Sequence, residues 1–322
     1  PVGRLLVKMA APAVVAQLIN MLYNLVDRIY IGHIPGEGAY ALTGMGVCMP
    51  VIMIVSAFAM LAGAGGAPRA SIAMGRGDNE AAEQALGNCF CLLLIVSAVL
   101  TGVLLVFNRP ILMAFGATEN TIGYATAYMD IYALGTVFVQ LTLGMNSFII
   151  AQGFSKTGML SVLIGAVCNI VLDPIFIFGF SMGVQGAALA TVMAQVVVFV
   201  LLVAYARQDR CLFDAVRLTQ RTTRDELWAL VRISGPATVM NVVFPLISMY
   251  IARMVAAFGD NAVAAQKVGS QIESISWMTA DGFAAAVNSF MGQNYGAGNL
   301  KRAKKGFAAA FAMMSLWGVF CS

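Results

Sequence analysis

The sequence has 322 residues, of which 60% are hydrophobic and only 11% are charged, and its mean hydropathy is +0.84. Soluble proteins carry about 25% charged residues, so this composition excludes a pair of ordinary soluble domains. It indicates instead an all-α, polytopic membrane protein, because helices satisfy their own backbone groups inside a bilayer.

The predicted spans follow from apolar stretches, since a membrane-crossing helix needs about 20 mainly apolar residues. They lie at 9–33, 41–67, 87–107, 124–151, 159–180, 186–206, 229–258 and 263–290, and a ninth begins at 306. Lys and Arg fall almost entirely in alternate connections, and the opposite loops hold only Arg109. This asymmetry predicts a multi-pass membrane protein with its amino terminus in the cytoplasm. Topology accounts for the basic residues, so we predict no nucleic-acid partner.

An internal repeat divides the sequence into two unequal parts. A shift of 221 places Ala41–Phe90 on Ala262–Phe311 and pairs Gly75 with Gly296. We therefore predict a first six-helix lobe over 1–207, a cytoplasmic linker over 208–227, and about three helices of a second, repeated six-helix lobe over 228–322. Residue 1 is not Met and the chain stops inside an apolar run, so we expect a carboxyl-terminally truncated protein.

One face of the first span is polar. Gln17, Asn20, Asn24 and Asp27 are spaced i, i+3, i+7 and i+10, and Tyr23 lies one turn before Asp27. A charge at the bilayer centre costs about 2.5–3.5 kcal/mol on insertion scales, so this stripe is expected to face protein or water.

The fifth and sixth spans carry further polar groups. Asn169 and Asp173 lie one turn apart, and Pro174 leaves a carbonyl one turn earlier without its helical partner. Carboxylate, amide and carbonyl oxygens form a cluster that suits a small cation such as Na⁺. Thr191 and Gln195 make an i, i+4 polar pair on the sixth span.

These polar residues have two interpretations. Asn, Gln and Thr side chains commonly hydrogen-bond between membrane helices, and Gln17, Asn20 and Gln195 fit that role. Asn20, Asn24 and Gln195 are also candidates for lining a cavity. Asp27 and Asp173 are costly for a purely structural role, which favours a cation-coupling site. Glu273, in the eighth span, is a further candidate for lining a cavity.

Enzyme chemistry has little support in this sequence. It has one histidine, His33, six cysteines without metal or redox spacing, and no nucleotide-binding fingerprint. We predict no enzyme activity, no catalytic residues, no cofactor and no metal site beyond a coupling Na⁺.

Six short segments spread along nearly the whole chain resemble one transporter family. They are Tyr-Asn-Leu-Val-Asp at 23–27, Gly-Arg-Gly-Asp at 75–78, Phe-Gly-Ala-Thr at 115–118, Cys-Asn-Ile-Val-Leu-Asp-Pro-Ile-Phe-Ile-Phe at 168–178, Gly-Val-Gln-Gly-Ala-Ala-Leu-Ala-Thr at 183–191 and Gly-Gln-Asn-Tyr-Gly-Ala-Gly-Asn at 292–299. Their order and spacing resemble the multidrug and toxic compound extrusion (MATE) family. The resemblance implies a cation-coupled antiporter that exports organic, often cationic, compounds in exchange for H⁺ or Na⁺ by alternating access between two lobes.

The resemblance also implies roles for particular residues. The cation-coupling positions fall on Asp27, Asn169, Asp173 and Thr191, with Tyr23 beside them. Pro12 falls on the proline linked to bending of the first helix. The expected location is the bacterial cytoplasmic membrane. The expected partners are small organic substrates and membrane lipids, and the expected state is monomeric. A lipid-linked oligosaccharide flippase of the same superfamily is the main alternative, and it predicts a basic central cavity; a membrane-embedded enzyme is the other.

Overall fold

The computed structural model describes residues 2–208 and 224–321, and every element in these two ranges is helical. This confirms the predicted all-α, polytopic fold class. Within the described ranges, seven helical segments are long and apolar enough to cross a membrane. The predicted linker falls largely on residues 209–223, which lie outside the described chain.

Ten α-helices and two short π-helical segments make up the described chain. They are α1 (Val2–Gly32), α2 (Gly38–Phe58), α3 (Ala67–Arg76), α4 (Asn79–Ala114), α5 (Ile122–Ala151), α6 (Ser155–Pro174), α7 (Val184–Gln208), α8 (Arg224–Ala256), α9 (Asp260–Gly296) and α10 (Leu300–Cys321). The π-helical segment Leu61–Gly66 lies between α2 and α3, and Ile175–Gly179 continues α6.

The helices run longer than the apolar stretches that predicted them. The third span was predicted over 87–107, but α4 extends from Asn79, where the Asp78 carboxylate caps it by accepting from the Ala81 N–H at 3.0 Å. A kink at Phe107 (φ −110°, ψ 19°) marks the predicted end, three residues before Pro110. The predicted eighth and ninth spans correspond to α9 and α10, which are helical but fall outside the seven segments because polar residues lower their hydropathy.

The helix termini that carry most of the described basic residues gather at one end of the bundle, which we call the basic end. Arg4 and Lys8 lie at the start of α1, Arg76 at the end of α3, Lys156 at the start of α6 and Lys301 at the start of α10. These termini meet at the carboxyl end of α9, which α10 follows directly. Leu6 of α1 packs in a cluster with Phe290 of α9, a Cβ at Gly75 of α3 would overlap Gln293 of α9, and the Ala151 carbonyl just before α6 accepts from Gln293.

Helix α5 is central to the bundle and packs against α2, α4 and α7. Its buried face includes Tyr128 and Tyr132, which are 2% and 3% exposed and stack on each other. A Cβ at Gly135 would overlap Val192, so glycine permits the close approach of α5 to α7. This packing brings α7, with Thr191 and Gln195, to the interior of the bundle.

A fully buried glutamine stabilises the irregular turn after α2. The Gln140 side-chain N–H donates to the carbonyl oxygen of Val55, and Gln140 is 0% exposed. The usual helical donor to that carbonyl, the Ala59 N–H, donates instead to Ser56 at 3.0 Å. Gln140 thus replaces the hydrogen bond that the turn removes.

We expect Gln140→Leu to lower the free energy of unfolding by about 1–3 kcal/mol, because it leaves the buried Val55 carbonyl without a donor. A thermal shift of the purified protein in detergent measures the effect. Gln17→Leu, at a half-buried position on α1, is the matched control and should shift the melting midpoint much less. Equal shifts for the two variants would contradict this role for Gln140.

Candidate cation and substrate site

Helix α1 contributes a polar stripe to the interior of the bundle. Asp27 is 3% exposed, whereas the next residue, Arg28, is exposed. This difference follows from helical geometry: Asp27 lies on the face that carries Asn20 and Tyr23, and α1 packs with α6. The predicted stripe therefore faces protein, as the cost of placing a carboxylate in lipid requires.

Helices α6 and α7 complete a small network of oxygen-bearing side chains. Asn169 and Asp173 are 2% and 0% exposed. With the amide oriented to satisfy both neighbours, Asn169 Nδ2 donates to Asp173 Oδ2 at 3.2 Å, and its oxygen accepts from Thr191 Oγ1 and from the Thr191 N–H at 3.3 Å each. The network therefore joins the end of α6 to α7.

The two carboxyls interact electrostatically across the contact between α1 and α6. Asp27 Oδ1 is buried without a hydrogen-bond partner, and neither carboxyl pairs with a basic side chain within 4.0 Å among the described residues. Two buried carboxylates repel each other and lose hydration. A proton or a small cation bound between them relieves both costs, so the pair can act as a cation-binding element.

A polar cavity adjoins this network between α1, α5, α6 and α7. The cavity has a volume of about 50 Å³, which is room for about three to five water molecules. It is lined by Asn20, Tyr23, Thr142, Leu143, Asn146, Ser161, Val162, Gly165, Ala166, Asn169, Thr191, Ala194, Gln195 and Val198. Asn146 Oδ1 and Gln195 Oε1 are buried there without partners, so two acceptors are available to a ligand. None of the described lining residues is charged.

The structure brings together most of the predicted site. Asp27, Asn169, Asp173 and Thr191 lie in one region, and Tyr23 lines the adjoining cavity.

Four other predicted positions have different outcomes. Asn20 and Gln195 line the cavity, but Asn24 does not, because its amide donates to the Asn20 carbonyl on the same helix at 2.7 Å. Glu273 is exposed on α9 and does not line this cavity either.

Pro12 lies inside α1, which remains a single helix from Val2 to Gly32. A role for Pro12 in bending α1 stays a prediction.

Sequence reasoning missed several lining residues. Thr142 and Asn146 on α5 have the same i, i+4 spacing that identified Asn169 and Asp173, so the signal was present. Tyr128, a buried residue whose side chain interacts with Thr191, had no such signal, because an aromatic residue in an apolar span looks like ordinary core.

Comparison with known proteins supports the class of protein that this geometry defines. A bundle of membrane-spanning helices around a buried carboxylate pair and a polar cavity is characteristic of membrane transporters. The MatE family description matches residues 12–175 and 236–322, and the chain belongs to this family.

Two relatives with known names are similar to most of this chain. The chain is 27% identical over 314 residues to a FAD transporter of Shewanella oneidensis, covering 95% of this chain and 68% of the relative. It is 27% identical over 301 residues to the probable multidrug resistance protein YoeA of Bacillus subtilis, covering 91% of this chain and 65% of that protein. The chain thus spans about two thirds of these relatives.

A solved structure with the same fold is described as the outward-facing conformation of a multidrug resistance MATE family transporter of the MOP superfamily. Its TM-score is 0.87 at 26% identity, and the alignment covers 98% of this chain and 70% of that one. The fold described above is therefore the MATE transporter fold.

Proposed function

We propose that the protein is a secondary active antiporter that exports organic, often cationic, compounds in exchange for H⁺ or Na⁺. The observation that carries the proposal is the juxtaposition of the buried Asp27 and Asp173 pair with a polar cavity that has no charged lining residue. Transport driven by a cation requires a group that binds the cation inside the membrane, and intramembrane carboxylates commonly provide it.

The oxygen donors support either coupling ion. Asp27, Asp173, the Asn169 amide and the Thr191 hydroxyl present the carboxylate and neutral oxygens that Na⁺ accepts, and the same carboxylates can bind a proton. The adjoining cavity has room for only a few waters as it stands, so it must widen to admit an organic cation. Once bound there, that cation and the coupling cation would compete for the same negative field. This competition gives exchange: binding of one cation favours release of the other.

The two-lobe arrangement remains part of this proposal. We propose lobes over 1–207 and 228–322 joined by 208–227, although α8 already begins at Arg224. The basic end faces the cytoplasm of a bacterial cell, in accord with the positive-inside rule, which places the amino terminus inside. The transporter works as a monomer among membrane lipids, without an enzymatic step or a resident cofactor.

The cavity lining favours organic cations over the other substrates considered. FAD carries a diphosphate, and a lipid-linked oligosaccharide also carries phosphate. Both would require basic side chains near the bound group, and none of the lining residues is basic. The absence of basic lining therefore counts against a flippase.

A dye-efflux assay tests the proposal. Cells that express the protein from its complete gene are loaded with an ethidium-like cation, and efflux is followed at fixed pH with and without Na⁺. We expect efflux that collapses when both the proton and sodium gradients are dissipated, and no competition from FAD. Efflux that persists without either gradient would contradict coupling, and FAD competition would contradict the substrate class.

Helix α1 provides a separate prediction. Proline cannot donate the helical hydrogen bond to the carbonyl four residues earlier, which makes bending at Pro12 easier. We expect Pro12→Ala to restore that bond, stiffen α1 and reduce efflux about tenfold, equivalent to ~1.4 kcal/mol. Pro50→Ala, the same change inside α2, is the matched control. Equal efflux rates for the two variants would contradict a role for bending at Pro12.

A further inference from the structure

Helices α3 and α9 cross at the basic end with their backbones in direct contact. A Cβ at Gly75 would overlap the Gln293 carbonyl oxygen, and a Cβ at Gly296 would overlap that of Ile72. One turn away, a Cβ at Gly292 would lie 2.6 Å from the Cβ of Ser71. No methyl group fits at these three glycines without moving backbone, so the crossing is a close small-residue contact.

The contact between α3 and α9 is symmetric with respect to the internal repeat, in which residues 221 positions apart correspond. This correspondence converts Ile72 to Gln293 and Gly75 to Gly296. The contact of Gly75 with Gln293 therefore becomes the contact of Gly296 with Ile72, and both occur. A contact that maps onto itself is the internal equivalent of a two-fold symmetric interface between subunits.

Two leucines extend the reciprocal packing on either side of the crossing. Leu230 of α8 is 0% exposed and belongs to a cluster with Ala62 and Cys89, from the first repeat. Leu6 of α1 is 0% exposed and belongs to a cluster that includes residues of α9 and α10. The first helix of each repeat thus buries a leucine in the other repeat.

A hydrogen-bonded junction lies beside the glycine crossing. The carbonyl oxygen of Ala151, at the carboxyl end of α5, accepts from Ser289 Oγ and Gln293 Nε2 of α9 at 2.8 Å each. It also accepts from Ser71 Oγ of α3 at 3.4 Å. Carbonyls at this end of a helix lack helical donors and carry the negative end of the dipole, so they are favourable acceptors.

We propose that this α3–α9 crossing is the gate that closes the basic end of the transporter, and that the hydrogen bonds to the Ala151 carbonyl hold it closed. The inference rests on the alternating access proposed above. The gate opens when α9 leaves α3, which breaks the two α9 hydrogen bonds to Ala151 together with the glycine contacts. Because backbones packed this closely have no intermediate arrangement of similar quality, the gate is expected to have two states.

Cross-linking tests whether α3 and α9 must separate during transport. Ser71→Cys and Ser289→Cys are introduced together into the full-length protein after all its native cysteines, including the six of this sequence, have been replaced by alanine. Both hydroxyls reach the same carbonyl oxygen, so the two thiols should cross-link on oxidation with copper phenanthroline. We expect cross-linked protein to lose dye efflux and dithiothreitol to restore it. Oxidation should not change the efflux rate of either single-cysteine variant. Cross-linked protein that still transports, or a pair that never cross-links, would overturn the gate.

A second measurement applies if the reduced double variant does not transport. A single cysteine at position 71 is labelled from the cytoplasmic side with an impermeant maleimide, in the Gly75→Ala, Gly296→Ala and Gly102→Ala backgrounds. A Cβ at Gly102 meets nothing within 4 Å, so that variant is the matched control. We expect labelling to be about tenfold faster in the first two backgrounds than in the third. Equal rates would overturn the gate, and because labelling needs no transport, this result is independent of the proposed coupling.

Discussion

Replacing either buried carboxyl, in Asp27→Asn or Asp173→Asn, is expected to reduce cation-driven efflux by at least about a hundredfold, or ~2.7 kcal/mol. Each amide preserves shape and hydrogen bonding but cannot carry the negative charge that holds the coupling cation. The pair is buried and has no basic partner within 4.0 Å among the described residues, so its negative charge is free to bind the coupling cation, and one carboxyl alone holds that cation less tightly. Efflux of a cationic dye from loaded cells measures the effect.

Asp130→Asn is the control for these variants. Asp130 is also on a membrane helix, but it is exposed and accepts a hydrogen bond from Asn108 that an asparagine can still accept. We expect nearly unchanged efflux from it, with all three variants at comparable amounts in the membrane. Full activity in Asp27→Asn and Asp173→Asn would refute the assignment of the coupling site.

A positive charge inside the cavity should have the second largest effect. Asn146 lines the cavity and its Oδ1 has no partner. Asn146→Lys places a cation about 6 Å from a bound organic cation, a repulsion of about 3 kcal/mol at an effective dielectric constant of about 20. We therefore expect the affinity for cationic dyes to fall about a hundredfold.

Two companion variants separate charge from shape. Asn146→Leu removes the polar group without adding charge and should weaken dye binding much less than the lysine. Asn146→Asp adds a negative charge and should strengthen it. Dye binding to purified protein, followed by fluorescence anisotropy, measures all three. Loss of affinity in the leucine variant equal to that in the lysine variant would show that charge in this cavity does not select the substrate.

The sequence was sufficient to predict the interior face of each helix at the site. Helical spacing placed Asp27 and Tyr23 on one face and Asn169 and Asp173 on another, and the structure shows both faces buried or lining a cavity. This succeeds because lipid excludes unpaired polar groups, so a polar stripe in an apolar helix must face protein or water.

Other features depend on which helices meet, and periodicity within one helix does not carry that information. Tyr128 belongs to the network only because α5 packs on α7, next to Thr191. Glu273 was a reasonable candidate by composition, yet the packing of α9 leaves it exposed. The irregular turn after α2 likewise depends on Gln140, which is distant in sequence and donates to the Val55 carbonyl.

In the proposed mechanism, the carboxylate pair exchanges a cation for the organic substrate. The most direct measurement uses purified protein in liposomes, with an outward gradient of a cationic dye as the only driving force. Cation movement is followed by ²²Na⁺ uptake and by a pH-sensitive dye. We predict that dye efflux drives Na⁺ or H⁺ in the opposite direction, and that Asp27→Asn abolishes this counterflow while Asp130→Asn preserves it. Dye movement without any cation counterflow, or counterflow that persists in Asp27→Asn, would contradict cation exchange at the carboxylate pair.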